Sequence, residues 1–99
     1  MFLAGQIPLD PSTGKLVSGS IAEETDRIMD NLRAVLGAAG ASLDHVVKTT
    51  VYLTNMADFS AFNQAYARYF TKDPPARTTV AVAALPLGAR VEVEAIAAL

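Results

Sequence analysis

The stretches Ala76-Arg77-Thr78-Thr79-Val80-Ala81-Val82-Ala83-Ala84-Leu85 and Arg90-Val91-Glu92-Val93-Glu94-Ala95-Ile96-Ala97-Ala98-Leu99 constrain this chain more than any others. Both are nearly continuous apolar, β-branched sequence, and Pro86-Leu87-Gly88 separates them. Two such runs joined by a Pro/Gly turn predict consecutive strands folded back as a hairpin. Side chains alternate along a strand, so Glu92 and Glu94 share one face. A strand this apolar carries charge toward a core only where that charge is paired or used. Arg77, two positions after the Pro74-Pro75 pair, and Glu92 are therefore the residues to explain.

Upstream, Ser20-Ile21-Ala22-Glu23 is a capping-box signature that opens a helix. Ile21, Thr25, Ile28, Leu32, Val35, Leu36 and Ala39 fall on one arc of that helix, Glu23, Asp26, Arg27, Asp30 and Arg33 on the other, and Gly40 ends it. Phe2 to Ile7 predicts a short strand, and Leu9 to Lys15 a turn. Val46 to Leu53 is a further β-branched run. A second helix is expected from about Asp58 to Phe70, with Phe59, Phe62, Tyr66, Tyr69 and Phe70 as its core stripe and Asn63 at the stripe's edge. The order β-α-β-α-β-β, in one α+β domain over residues 1–99, places two one-sided helices on one face of a sheet. The last two strands read as apolar on both faces, so a second copy in a closed symmetric oligomer is expected to cover the other face.

Composition narrows the function. The net charge is −2 and the Lys and Arg residues are scattered, which does not point to nucleic acid. There is no cysteine, hence no thiol chemistry, and one histidine, His45, is too few for a histidine-based metal site. No apolar run reaches membrane-spanning length, and the start is too short for a signal peptide. The expectation is a cytoplasmic protein with no membrane partner.

Each candidate group has two readings. Arg77 suits bidentate capture of a carboxylate, or a plain ion pair with Glu92 or Glu94. Glu92 suits general acid–base work on water, and spacing does not separate it from Glu94. Asn63 suits a ligand contact or a loop cap, and Thr79 a hydroxyl contact or ordinary strand propensity. Asp44-His45 lacks a nucleophile elbow, and Gly14-Lys15 lacks the first glycine of a phosphate loop.

Taken together, Gly5-Gln6-Ile7-Pro8 with Asp10-Pro11 and Thr13-Gly14, Val47-Lys48-Thr49-Thr50-Val51-Tyr52-Leu53, Asp58-Phe59 with Asn63, Pro75-Ala76-Arg77 and Val91-Glu92-Val93-Glu94-Ala95-Ile96-Ala97 resemble the RidA/YjgF family over essentially the whole chain. The resemblance implies a chorismate-mutase-like fold and a barrel-like homotrimer with clefts between subunits. It implies hydrolysis of enamines and imines (2-aminoacrylate, 2-iminobutyrate, 2-iminopropanoate) to 2-keto acids and ammonia, without cofactor or metal. Arg77 would then grip the substrate carboxylate and Glu92 activate water, while Gly5, Asn63 and Thr79 line the cleft. Three departures stand out. Thr79 occupies a position where many members carry cysteine. Ala4 replaces the serine of Ser-Gly-Gln. The family's first strand, with its Gly-Pro-Tyr-Ser-like tyrosine, is expected to be lacking, leaving an open strand edge. The alternative function is a non-catalytic ligand-binding or regulatory trimer using the same cleft; a ribonuclease role ranks last on charge distribution.

Overall fold

The first helix forms where its caps dictate. In the computed structural model, which describes residues 1–99, α1 spans Ile21–Ala38. The Glu23 amide donates to Ser20 Oγ and the Ser20 amide to Glu23 Oε1, both at 3.1 Å, completing the predicted capping box. At the other end the Ala41 amide reaches the Leu36 carbonyl at 2.8 Å and the Gly40 amide the Gly37 carbonyl at 3.0 Å. Gly40 itself sits at φ 74°, the left-handed conformation that lets the chain leave a helix in this way. Between the caps, Ile28, Met29, Leu32 and Leu36 are buried, whereas Val35, placed on the same arc by periodicity, is 38% exposed at its rim.

The main sheet has four strands in the order β1-β6-β4-β5: β1 Phe2–Gln6, β4 Val46–Leu53, β5 Ala76–Ala81 and β6 Val91–Ala97. The predicted turn at 9–15 is the tip of a small hairpin, β2 Leu9–Asp10 with β3 Lys15–Leu16. The expected β5–β6 hairpin does not form. β4 lies between them, parallel to β5 and antiparallel to β6. Residues 82–90 are too long a link for a tight primed turn and instead pass over the end of β4. There the Val82 amide donates to the Leu53 carbonyl and the Thr54 amide to the Arg90 carbonyl.

The second helix, α2, runs Phe59–Ala67, shorter than the predicted 58–70. Its start is preceded by a tight turn in which Asn55 Oδ1 accepts from the Ala57 amide. Beyond its end Tyr69 is tied to α1: its hydroxyl donates to Asp26 Oδ1 at 2.7 Å and the Arg33 guanidinium lies 4.9 Å from its ring centre. Both helices pack on one face of the sheet. Val51, Leu53, Val91, Val93 and Phe62 are fully buried there, each large apolar side chain contributing about 1.5–3 kcal/mol.

The other face is less apolar than the sequence suggests. Alternation puts Val91, Val93, Ala95 and Ala97 under the helices and turns Glu92, Glu94 and Ile96 outward. Thr50 and Tyr52 of β4 stand directly opposite Glu94 and Glu92 on this open face. Exposed apolar groups flank them, Phe2 at 85% and its cross-strand neighbour Ile96 at 36%. No helix is long and apolar enough to cross a membrane.

Arg90, at the foot of β6, clasps the start of α1: its guanidinium bonds the Gly19 carbonyl and the carboxylate of Glu24, whose side chain is only 7% exposed. Arg90→Ala leaves that carboxylate unpaired and is expected to cost about 2–3 kcal/mol, read as a lower urea midpoint at unchanged slope. A second expectation concerns base. Burial, and then the bond to Asp26, push Tyr69 from the ordinary 10.0 up to about 12. The folded state therefore holds this proton more tightly than the unfolded chain. The resulting stabilisation is whole below about pH 10 and is lost as pH climbs through about 12. Unfolding midpoints measured across that window should fall less steeply for Tyr69→Phe than for the parent.

Candidate active site

Arg77 is the second residue of β5, after Pro74-Pro75 and Ala76, and the fixed φ of the prolines feeds an extended chain into the sheet. β5 is an edge strand, and Arg77 pairs in register with Thr49 of β4. Thr49 is fully buried beneath α2, so Arg77 faces the same helix-covered side. Its Nη1 donates to Asn63 Oδ1 at 2.7 Å. The guanidinium carbon lies 4.9 Å from the centre of the Tyr66 ring and 5.5 Å from that of Phe59. Arg77 pairs with no carboxylate in the chain, so the alternative of an ion pair with Glu92 or Glu94 does not hold. One donor is spent on Asn63 and the rest of the fork is free for an acceptor.

On the open face the two glutamates separate. Tyr52 donates its hydroxyl to Glu94 Oε1 at 2.7 Å, and that bond, followed by burial, raises the Tyr52 pKa. Glu94 is thus engaged. Glu92 makes no hydrogen bond or ion pair in the chain and packs against Gly5. A Cβ built on Gly5 would stand 2.5 Å from Glu92 Oε2 and 2.7 Å from its Cδ, so only glycine leaves the carboxylate where it is. The β1–β6 register shifts between Leu3 and Gln6, and Gly5 falls inside that irregularity.

The predicted residues therefore form two groups. Arg77 and Asn63 meet on the helix side, and Gly5 and Glu92 meet on the open side. Thr79 shares the face of Arg77 two residues along, but its hydroxyl is closed off from solvent without a partner. A single copy does not bring all five residues onto one face, because alternation along paired strands sends Arg77 and Glu92 to opposite sides of the sheet. Consistent with that, the concavities of about 320–370 Å³ on the surface are lined by other residues. His45 has a local role: its Nδ1 accepts from the Ser42 amide at 3.1 Å. No group of three or more His, Cys, Asp or Glu side chains is placed to hold a metal ion.

Sequence reasoning assigned Phe59 and Tyr66 to the core and missed their contact with the arginine. The signal was present: Phe59, Asn63 and Tyr66 are spaced i, i+4, i+7 along α2, one stripe aimed at one place. Tyr52 was missed as well, since nothing in a β-branched run marks which partner its hydroxyl finds.

Comparison with known proteins agrees with this architecture. The family model described as Endoribonuclease L-PSP matches residues 1–99. Protein DfrA of Myxococcus xanthus is 53% identical over 96 residues, 97% of this chain and 73% of that protein. The human 2-iminobutanoate/2-iminopropanoate deaminase is 47% identical over 97 residues, 98% of this chain and 71% of the human protein. The crystal structure of the Rid-family protein YyfA from Yersinia pestis superposes with a TM-score of 0.95 at 46% identity, covering 99% of this chain and 79% of that one. A family match over the full chain, with a fold shared at this identity, means that the protein belongs to the RidA/YjgF family, whose model is described as Endoribonuclease L-PSP.

Proposed function

We infer that the protein hydrolyses small 2-imino acids, and the 2-enamino acids that tautomerise to them, to 2-keto acids and ammonia. The observation that carries this reading is the Arg77 guanidinium, fixed on α2 with most of its donors free and no carboxylate of its own. Such a group takes a planar carboxylate in two parallel bonds. The name of the human relative supports the same chemistry.

The reaction asks little beyond placement. Arg77 holds the substrate carboxylate. Glu92, free of internal partners, accepts a proton from a water molecule as its oxygen bonds to the imine carbon. The C=N π pair moves onto nitrogen, which takes back from Glu92 the proton that water gave up, forming the neutral carbinolamine. Glu92 then removes the carbinolamine's hydroxyl proton and passes it to nitrogen, and the C–N bond breaks with its electron pair leaving on ammonia as the oxygen becomes the ketone. For an enamine substrate, protonation at the β-carbon comes first. No metal or redox step enters this scheme.

Both groups reach one substrate only if Arg77 of one copy meets Glu92 of another, because within a copy they lie on opposite faces. We accordingly assign the site to the boundary between subunits of a closed homotrimer, and the exposed Phe2 and Ile96 of the open face support turning that face inward. A ribonuclease role is disfavoured by the pairing of Arg27, Arg33, Arg68 and Arg90 with acidic side chains, which leaves no continuous basic stripe.

The test couples the protein to a threonine or serine dehydratase and follows release of ammonia and keto acid, with light scattering to report subunit number. Acceleration by the parent, its loss in Arg77→Ala, and a fall of about 100-fold or more in Glu92→Gln, all as trimers, is the expected result. Activity surviving in Arg77→Ala excludes the mechanism, as does activity from a monomer. Tight 2-ketobutyrate binding without turnover identifies a non-catalytic binding protein instead. Gly5→Ala is expected to keep the unfolding midpoint within about 1 kcal/mol of the parent while lowering turnover, since the added methyl displaces only the end of the Glu92 side chain.

A further inference from the structure

We propose that Phe59 and Tyr66 are positioning residues, an aromatic cradle that fixes the Arg77 guanidinium for its ligand; its catalytic consequence rests on the deaminase reading above. A free arginine side chain samples many rotamers, and freezing them on binding subtracts from affinity. Here three side chains of α2 hold the group before any ligand arrives. Asn63 takes one N–H from the side, and the Tyr66 and Phe59 rings lie 4.9 Å and 5.5 Å from the guanidinium carbon, inside the range at which a cation is drawn to a ring's electron-rich face.

The cradle is itself braced. The hydroxyls of Tyr66 and Thr49 are 2.7 Å apart in a buried hydrogen bond, and Thr49 is the residue beside Arg77 in the β4–β5 ladder. Strand and helix are thus cross-linked next to the arginine, so the Tyr66 ring cannot swing away without leaving the Thr49 hydroxyl stranded. Phe62, the neighbouring aromatic of the same helix, packs on Tyr66 with ring centres 5.3 Å apart and makes no arginine contact, so Tyr66, itself buried in the core, carries the cradle from the core side and Phe59 from its rim. Burial raises the Tyr66 pKa, outweighing the Thr49 hydrogen bond and the Arg77 charge, which act the other way.

The experiment has a direct and a functional arm. In the direct arm, the side-chain NMR signals of Arg77, assigned by their loss in Arg77→Ala, are expected upfield through the ring currents of Phe59 and Tyr66. They should return toward ordinary positions in Phe59→Leu and Tyr66→Leu and stay shifted in Tyr66→Phe. In the functional arm, Tyr66→Leu and Phe59→Leu are expected to raise KM and the 2-ketobutyrate Kd by about tenfold with kcat little changed, and Tyr66→Phe to stay within about threefold of the parent. Phe59 is only partly buried, so its variant reports even if Tyr66→Leu fails to fold. A purely structural role would lower the unfolding midpoint and leave KM and Kd alone, and that result overturns the proposal. Unshifted Arg77 signals in the parent overturn it too. A parent with shifted Arg77 signals, restored in the leucine variants, but with no turnover and no 2-ketobutyrate binding, overturns the deaminase reading and supports the cradle.

Discussion

The insertion of β4 between β5 and β6 is the constraint on which the rest of this structure depends. It sets Thr49 beside Arg77 on one flank and Tyr52 beside Glu92 on the other. Strand alternation then leaves no choice: residues level with the buried Thr49 point under the helices, and those level with Tyr52 point away. Two groups that would serve one small anion end up on opposite faces of a single sheet. A shift of one residue in the β4–β6 ladder would reverse β6 and turn Glu92 and Glu94 into the core, and one in the β4–β5 ladder would turn Arg77 away from α2, so the hydrophobic pattern holds this separation.

The helix side shows how packing and chemistry share the same residues. α2 contributes Phe62 and Tyr66 to the core, and from the same stripe Phe59, Asn63 and Tyr66 itself to the arginine. Burial of the stripe anchors the helix, and that anchoring gives Arg77 a rigid bed. The open side works differently. There Tyr52 occupies Glu94 and leaves Glu92 without an internal partner, while Gly5 makes room for it. Each face thus presents one charged group without an ion-pair partner in the chain.

Much of this was legible in the residues. The capping box at Ser20 and Glu23 and the glycine exit at Gly40 bound α1 by local chemistry alone, and the structure reproduces both. The hairpin expectation failed because a Pro/Gly turn marks only that the chain bends. Which strand lies alongside is decided by long-range pairing, and residues 82–90 are long enough to cross β4. The second helix ends at Ala67, and beyond it Tyr69 meets Asp26 of α1, a partner forty-three positions away that no local pattern announces. His45, set aside as a triad member on sequence grounds, bonds locally to the Ser42 amide in the fold.

By itself the sequence determined the element types, the core stripes and which residue kinds were out of place in them, because these follow from period, propensity and burial cost along a contiguous stretch. It singled out Arg77 and Glu92 for that reason, and its motifs pointed to the family. Only the tertiary structure decided that Glu94 is engaged and Glu92 free, that Arg77 rests on aromatic rings, and that the two groups face apart. Those outcomes depend on which strands pair and which side chains then meet across them, and no window along the chain contains both partners.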